Sequence, residues 1–200
     1  MSSISTPYGV QVISDQGGPS PRTQRITLGI ANQFASNIFK GQPVKANPAT
    51  GTIVPVTAQT DKILGIFEGC EYTPLGGSPT GNTFWPGGTV FDPNYDMFAY
   101  IYPAWLTGVR WLIQADGSIA YSGLFGQFNF TLANLGAGNT LTGLSACTLS
   151  ATPVAAGSQG QVSLVEFGEG LGSAPGDAFT DVIGIIANGQ IGPAPQTSIG

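Results

Sequence analysis

The chain has no histidine among its 200 residues, so the side chain that most often acts as a general base or a metal ligand is absent. Its only two cysteines, Cys70 and Cys147, cannot form a zinc site. For a protein assembled inside a cell we favour free, buried thiols over a disulfide. This inventory predicts a non-enzymatic protein with no catalytic residues, no cofactor and no metal ion.

Two acidic arrangements have partial site-like spacing. Asp92–Asp96 has the opening spacing of a calcium loop, but Met97 and Pro103 stand where that loop needs glycine and glutamate. A turn capped by its own Asp and Asn side chains explains this segment better. Asp177 and Asp181 could form a glycosidase pair, although solvated loop carboxylates are the commoner explanation for such spacing.

Charged side chains are scarce, with 6 basic and 11 acidic residues making up 8% of the chain. An ordinary soluble domain has about 25%, and charge is what usually protects a free monomer from self-association. One explanation is a neutral, polar surface, as in some secreted β proteins. We favour the other explanation, that other subunits cover much of the surface, because permanent interfaces are large and depleted of charge.

The net charge of −5 and the confinement of Lys and Arg to Arg22–Arg110 argue against nucleic-acid binding. No apolar run approaches the about 20 residues that a membrane span needs. The N-terminus lacks a basic segment followed by an apolar run, so it does not read as a secretory signal. We therefore expect neither a nucleic-acid nor a membrane partner.

Turn residues and short apolar runs predict an all-β fold. The chain has 30 Gly and 15 Pro, and 42% of its residues are hydrophobic, which suits a loop-rich domain with a substantial core. Lys40–Tyr72 contains several short runs rich in β-branched residues and separated by turns. This pattern is typical of a compact small β-barrel or β-sandwich with long Gly/Pro-rich loops.

Further strands are expected along the chain. Met97–Tyr102 is wholly apolar or aromatic, which predicts burial on both faces, and with Val109–Gln114 it reads as a central hairpin. Asp116-Gly117 is the best hairpin-turn signal, leading to a short strand over residues 119–121. Later strands are expected at residues 144–149, 162–167 and 182–186. Four further side chains are predicted to belong to the core: Phe125, Phe128, Phe130 and Leu132.

Six residues are candidate partner contacts. Residues 1–25 read as an extended arm in which Tyr8, Val10 and Val12 alternate as a short strand. We expect that strand to add to a neighbour's sheet, the alternative being a frayed terminus. The other candidates are aromatic residues in Pro/Gly-rich loops: Phe84, Trp85 and Trp105. Exposed aromatic side chains suit a protein interface, or otherwise a sugar site, whereas Trp111 is expected in the core.

Three phrases in the Lys40–Tyr72 stretch carry a family resemblance: Gly41-Gln-Pro-Val-Lys-Ala46, Gly51-Thr-Ile-Val-Pro-Val56 and Ile63-Leu-Gly-Ile-Phe-Glu-Gly69. They resemble the β-rich units of capsid decoration (cement) proteins of tailed bacteriophages. The blocks Asp92–Tyr102 and Val109–Ser118 resemble segments of virion structural proteins of the same kind, and the likeness covers roughly residues 38–190.

The resemblance implies a β-tulip-like core and a virion protein on the outer capsid surface, assembled in the host cytoplasm. Its partners would be the major capsid protein and itself, as a trimer or dimer. The expected organisation is an arm over residues 1–25, one all-β domain over residues 26–188 and a tail over residues 189–200. Two alternatives remain: a carbohydrate-binding β-sandwich of a phage fibre, and a tail-tube or major shell subunit.

Overall fold

The computed structural model describes residues 5–13, 24–26, 29–106, 109–168 and 174–191. Within these ranges the chain is built from strands, with two short 3-10 turns at Tyr121–Gly123 and Leu132–Asn134. None of the described helical segments is long and apolar enough to cross a membrane. The strands, in chain order, are β1 (Gln11–Ile13), β2 (Gln24–Ile26), β3 (Pro43–Asn47), β4 (Thr52–Pro55), β5 (Gly65–Tyr72), β6 (Thr80–Asn82), β7 (Phe98–Pro103), β8 (Arg110–Gln114), β9 (Gln127–Phe130), β10 (Leu149–Pro153), β11 (Val162–Phe167) and β12 (Asp181–Ile186).

The strands form two antiparallel sheets. Sheet A has the order β1-β8-β12-β11-β9-β10, and sheet B has the order β2-β7-β5-β3-β4, with β6 paired to the far end of β5. The prediction of an all-β fold is confirmed, and the sandwich is the form that the two sheets take. The strands expected within Lys40–Tyr72 are present as β3, β4 and β5.

Two hydrophobic cores lie on opposite faces of sheet B. The first lies between the sheets, where Ile66 of β5 meets Trp111 and Phe128 of sheet A. The second lies on the outer face of sheet B. There Phe67 and Ile101 pack beneath two loops, one that precedes β3 and one that connects β6 to β7. Successive side chains of a strand point to opposite faces, so Ile66 and Phe67 necessarily enter different cores. β5 is buried on both faces, whereas β7 is fully buried only on the face of Ala99, Ile101 and Pro103 and half-buried on the other. The burial of both faces predicted from the apolar run of β7 is therefore met only in part.

The predicted central hairpin is wrong. β7 pairs with β2 and β5 in sheet B, whereas β8 pairs with β1 and β12 in sheet A. The chain therefore crosses from one sheet to the other between these strands. The Asp116-Gly117 turn does not form a hairpin either, because residues 121–123 that follow it form a 3-10 turn.

The N-terminal segment belongs to the sheet of its own chain. Residues 11–13 pair with residues 112–110 of β8, and the N–H of Val10 donates to the carbonyl of Gly41 at 2.9 Å. Gly9 and Gly41 make this approach possible, because a Cβ on Gly9 would lie 3.0 Å from the Gly41 oxygen. The prediction that this strand adds to a neighbour's sheet is therefore corrected. The last two residues of the predicted arm, 24–25, belong to β2, which pairs with β7, so the domain begins before residue 26. Residues 1–4 and 14–23 lie outside the described residues.

The ordered fold also continues past the predicted end of the domain at residue 188. The Gln190 N–H donates to the Ile63 carbonyl at 2.8 Å, and its side-chain oxygen accepts from the Ala46 N–H at 2.8 Å. Residues 189–190 thus bind Ile63 and β3 as part of the fold rather than beginning a tail. Residues 192–200 lie outside the described part of the chain.

Candidate interaction surface

Trp85, predicted to be an exposed contact, is fully buried. Its main chain forms a two-way bridge with Ile38, and its indole N–H donates to the Phe34 carbonyl at 3.1 Å. The ring packs edge-on against Tyr72 and Phe91, with centroid separations of 5.4 and 6.3 Å. The expectation of a contact residue is therefore wrong for Trp85, which belongs to the outer core of sheet B.

The other loop aromatics are half-buried. Phe84 stacks on Phe39 with ring centroids 5.7 Å apart, and Trp105 packs against the outer core. A partner contact by Phe84 or Trp105 stays a prediction. Trp111 is buried between the sheets, so its predicted core position is confirmed.

The three N-terminal candidates are held by the chain itself. Val10 is only 1% exposed, and Val12 packs against the core between the sheets. The hydroxyl of Tyr8 donates to the Asp181 carboxylate at 3.0 Å, and burial together with that neighbouring charge raises the pKa of the phenol well above its usual value. A partner contact by Val10 is contradicted by its burial. Tyr8 and Val12 are also held by their own chain but are half-buried, so a partner contact by either of them stays a prediction.

Two aromatic residues that the sequence did not single out as contacts are exposed on the loop between β8 and β9. Tyr121 is 69% exposed, and one face of its ring stacks on Phe167 at 5.8 Å with an interplanar angle of 20°. Phe125 is 73% exposed, which contradicts its predicted core position. We call the stacked pair of Tyr121 and Phe167 the aromatic patch. Leu132, also predicted in the core, is 55% exposed, whereas Phe128 and Phe130 are buried as predicted.

The backbone presents the Phe125 ring to solvent at a cost. Phe125 has φ of 64°, in the left-handed region that a bulky side chain rarely adopts. Such a conformation costs about 1–3 kcal/mol and persists only where surrounding bonds enforce it. Here the Phe125 N–H donates to the Leu164 carbonyl at 3.0 Å, and the Leu164 N–H donates to the Gly126 carbonyl at 2.9 Å. The ring is thus held outward by β11.

Acidic residues predominate in the part of the chain that carries the aromatic patch. Residues 111–200 contain five acidic residues and no basic one. The Gly176 N–H donates to the Ile119 carbonyl, so the loop that carries Asp177 lies against the segment that leads into Tyr121. On the other side of the patch Glu166 pairs with Arg110 at 3.0 Å. The half of the molecule built from β8–β12 therefore carries most of the net negative charge.

Two outer strands are closed to further pairing. Residues 53 and 55 direct their main-chain groups away from β3, but the Ile53 N–H donates to the Gly29 carbonyl at 2.9 Å and Pro55 has no N–H. On the outer side of β10, the Ala151 N–H donates to the Asp116 carboxylate at 2.8 Å, and Pro153 has no N–H. Closing edges in this way prevents unintended strand addition.

Candidate chemical sites are few among the described residues. No group of three or more His, Cys, Asp or Glu side chains within the described ranges could hold a metal ion. Asp92 accepts hydrogen bonds from the main-chain and side-chain nitrogens of Asn94, which confirms the capped turn. Cys70 and Cys147 are both free and buried in different cores, as expected, and burial raises the pKa of the Cys70 thiol to about 12.

A cleft with a volume of about 550 Å³ lies between β3 and β4 on one side and the turn at residues 132–136 on the other. Phe34 and Leu132 contribute apolar walls, and Lys45 is its one charged side chain. Lys45 is already paired with Asp61 at 2.7 Å. The cleft therefore offers volume without a free charged group that would orient a ligand.

Comparison with protein-family models, with characterised proteins and with solved structures finds no match to this chain.

The sequence signal for the contact surface was misleading for a physical reason. Phe125 occupies an apolar, Phe-rich stretch that resembles a core strand. Its ring points outward because the residue has a left-handed φ, which a Phe rarely adopts and which the sequence does not predict. Gly123 and Gly126, which flank it, were the available clue, because glycine next to an apolar residue often marks a turn.

Proposed function

We propose that this chain is a non-enzymatic virion structural protein that decorates and stabilises the outer surface of a bacteriophage capsid. Its partners would be the major capsid protein and further copies of itself, as a trimer or dimer. Each copy would bridge neighbouring shell subunits, so that opening the shell requires breaking additional interfaces.

The observation that carries this proposal is the combination of few charges with large apolar side chains displayed on braced loops. Leu141 is 94% exposed at the tip of a turn closed by a 2.7 Å hydrogen bond from the Gly143 N–H to the Asn139 carbonyl. Tyr121 and Phe125 are displayed in the same way on another loop. Exposed apolar side chains on rigid supports lose little conformational entropy on binding, which suits permanent contacts.

The acidic character of the sheet A half and the sequence resemblance add support. A surface with a net charge of −5 is suited to the outside of a shell, away from the packaged genome. The closed outer sides of β4 and β10 favour contacts through side chains on these edges, rather than the endless strand addition that would build filaments.

Co-sedimentation with empty phage heads tests the proposal. Purified chain should pellet with heads that lack it, saturate at a fixed number of copies per head, and raise the temperature at which the heads open. Heads that bind no chain, or that bind it without any gain in thermal stability, would refute the proposal.

A carbohydrate-binding role on a fibre is the second candidate, and the Tyr121 ring is what favours it. Phe167 covers one face of that ring, and the exposure of Tyr121 leaves room for a sugar to stack on the other. A glycan array with a clear hit that Tyr121→Ser abolishes would favour this role over decoration.

A further inference from the structure

We propose that this chain forms a dimer through residues 131–147 and the cleft beside them, with Leu141 of each copy entering the cleft of the other. The cleft is the one between β3 and β4 and the turn at residues 132–136. Its occupant is thus a second copy of the same chain, related by a two-fold axis. The inference specifies the contact between copies, and the role of that contact in decoration rests on the proposed function.

Leu141 is an apolar side chain that a single copy leaves in water on a fixed support. It is 94% exposed, and its turn is closed by the hydrogen bond from the Gly143 N–H to the Asn139 carbonyl. The turn is also tied to the loop before β3. There the Lys40 N–H donates to the Gly143 carbonyl at 2.9 Å, and the Ser145 N–H donates to the Lys40 carbonyl at 2.9 Å. A side chain displayed in this way loses little conformational freedom when a partner buries it.

The cleft offers an apolar site for such a side chain. Phe34 and Leu135 line it together with Leu132, a leucine that is itself 55% exposed. The one charged side chain of the cleft, Lys45, is already paired with Asp61. An uncharged apolar side chain can therefore fill the cleft without leaving a buried ion unpaired.

The turn of Leu141 and the cleft lie side by side. The loop before β3 is bonded to both of them, to the turn through Lys40 and to the cleft wall through Gln42. The side-chain nitrogen of Gln42 donates to the Leu135 carbonyl at 2.7 Å, and Gln42 itself lines the cleft. A side chain and a cleft that are neighbours on one surface can pair reciprocally about a two-fold axis, so that each dimer contains the contact twice. This placement favours a dimer over a ring.

The charge distribution favours a second copy as the occupant. No charged residue stands between Asp116 and Glu166, so residues 131–147 are uncharged throughout. Two copies that each carry a net charge of −5 repel one another, and the repulsion is smallest where the facing surfaces carry no net charge. A second copy also supplies both the leucine and the cleft that the contact needs.

Sedimentation velocity of the purified chain, without heads, tests the inference. The unmodified chain should be a dimer. Leu141→Ser should raise the dissociation constant at least about 30-fold, as for a hot-spot residue, without a change in melting temperature. Leu132→Ser, in the cleft, should weaken the dimer in the same way. Leu75→Ser is the matched control and should leave the dimer unchanged, because Leu75 is 66% exposed but lies in the loop between β5 and β6.

Disulfide cross-linking tests which residues meet. Copies with Leu141→Cys, mixed with copies with Leu132→Cys, should form a linked mixed dimer under mild oxidation, because a disulfide requires the two residues to be close. The unmodified chain gives the background, since Cys70 and Cys147 are buried. Leu75→Cys mixed with Leu132→Cys should stay at that background. Equal cross-linking of the two mixtures would overturn the inference.

The other outcomes separate this inference from the proposed function. A monomer at the highest soluble concentration, a trimer, or a dimer that both serine variants leave intact would overturn the inference, whether or not the chain binds heads. A monomer whose binding to heads is lost in Leu132→Ser would make the shell protein the occupant of the cleft, which also overturns it. A dimer that Leu141→Ser dissociates, in a chain that does not bind heads, would support the inference and refute the proposed function.

Discussion

The indole N–H of Trp85 donates a 3.1 Å hydrogen bond to the main-chain carbonyl of Phe34, 51 positions earlier in the sequence. This bond joins the loop before β3 to the loop before β7, and the two loops together cover the outer core of sheet B. The Trp85 side chain therefore stabilises the fold, although it lies in a Pro/Gly-rich loop.

Trp85→Ala should therefore destabilise the fold rather than weaken a contact. Removing a fully buried Trp leaves a large cavity and breaks the indole bond, although the Phe34 carbonyl keeps the Gly88 N–H as a donor at 2.8 Å. We expect the free energy of unfolding to fall by about 3–5 kcal/mol, mainly because of the cavity. Urea denaturation followed by circular dichroism measures the loss. Trp85→Phe keeps a ring and loses the N–H donor, so its free energy of unfolding should lie between those of the unmodified chain and Trp85→Ala. A loss below about 1 kcal/mol in Trp85→Ala would contradict the buried position.

The short strands were predictable because the signals for them are local. β3, β4 and β5 each combine β-branched residues with adjacent turn residues, and a segment of ten residues suffices to recognise them. The burial of Trp85 depends instead on a loop 51 positions away, which no local pattern reports.

The sheet assignments and the exposure of Phe125 were not predictable for related reasons. A period-2 pattern shows that β7 and β8 are strands, but it does not show that they belong to different sheets. The exposure of Phe125 is set by one backbone dihedral angle, which its sequence neighbours do not specify. Features that depend on long-range packing could therefore not be predicted from the sequence.

Deleting residues 1–13 should destabilise the molecule. The deletion removes the buried Val10 side chain, worth about 1.5–3 kcal/mol, together with the hydrogen bonds from Val10 to Gly41 and from Tyr8 to Asp181. We expect a loss of about 3 kcal/mol or more in the free energy of unfolding by urea. Gln11→Ala, at the exposed neighbour of Val10, serves as the control and should change it little. An undiminished stability would show that the segment is only loosely attached.

Asp116 should protect the outer side of β10. Its carboxylate accepts the Ala151 N–H at 2.8 Å and the Thr131 hydroxyl at 2.7 Å, so Asp116→Ala frees a main-chain donor on an outer strand. We expect about 1–2 kcal/mol of destabilisation and faster aggregation, measured by light scattering at raised temperature. Asp177→Ala is the control, because it removes the same charge and also frees a main-chain donor, the Ala174 N–H, but in a loop rather than on an outer strand. Equal aggregation of both variants would mean that lost charge, rather than an opened edge, is the cause.

The ion pair of Lys45 and Asp61 predicts a loss of stability in acid. Partial burial alone would raise the pKa of the Asp61 carboxyl, but its bond to Lys45 and the N–H donors of Thr57 and Ala58 outweigh this and hold that pKa below its usual value. A carboxyl with a lowered pKa in the folded state stabilises the fold above its unfolded pKa of about 3.9, and this contribution is lost as the pH falls through the folded pKa.

Melting temperatures measured from about pH 7 down to about pH 3 test this dependence. The unmodified chain should lose stability below about pH 4, and Asp61→Asn should show a flatter profile in that range. Lys45→Met, which removes the pair from the other side, should flatten it as well. An acid transition that is unchanged in both variants would assign it to other carboxylates.

A reconstruction of the virion by electron cryomicroscopy tests the central claim most directly. The account predicts density for this all-β sandwich on the outer surface of the head, bridging neighbouring shell subunits. Density for the chain in the tail tube, in a fibre or in the shell lattice itself, or its absence from the virion, would contradict the account.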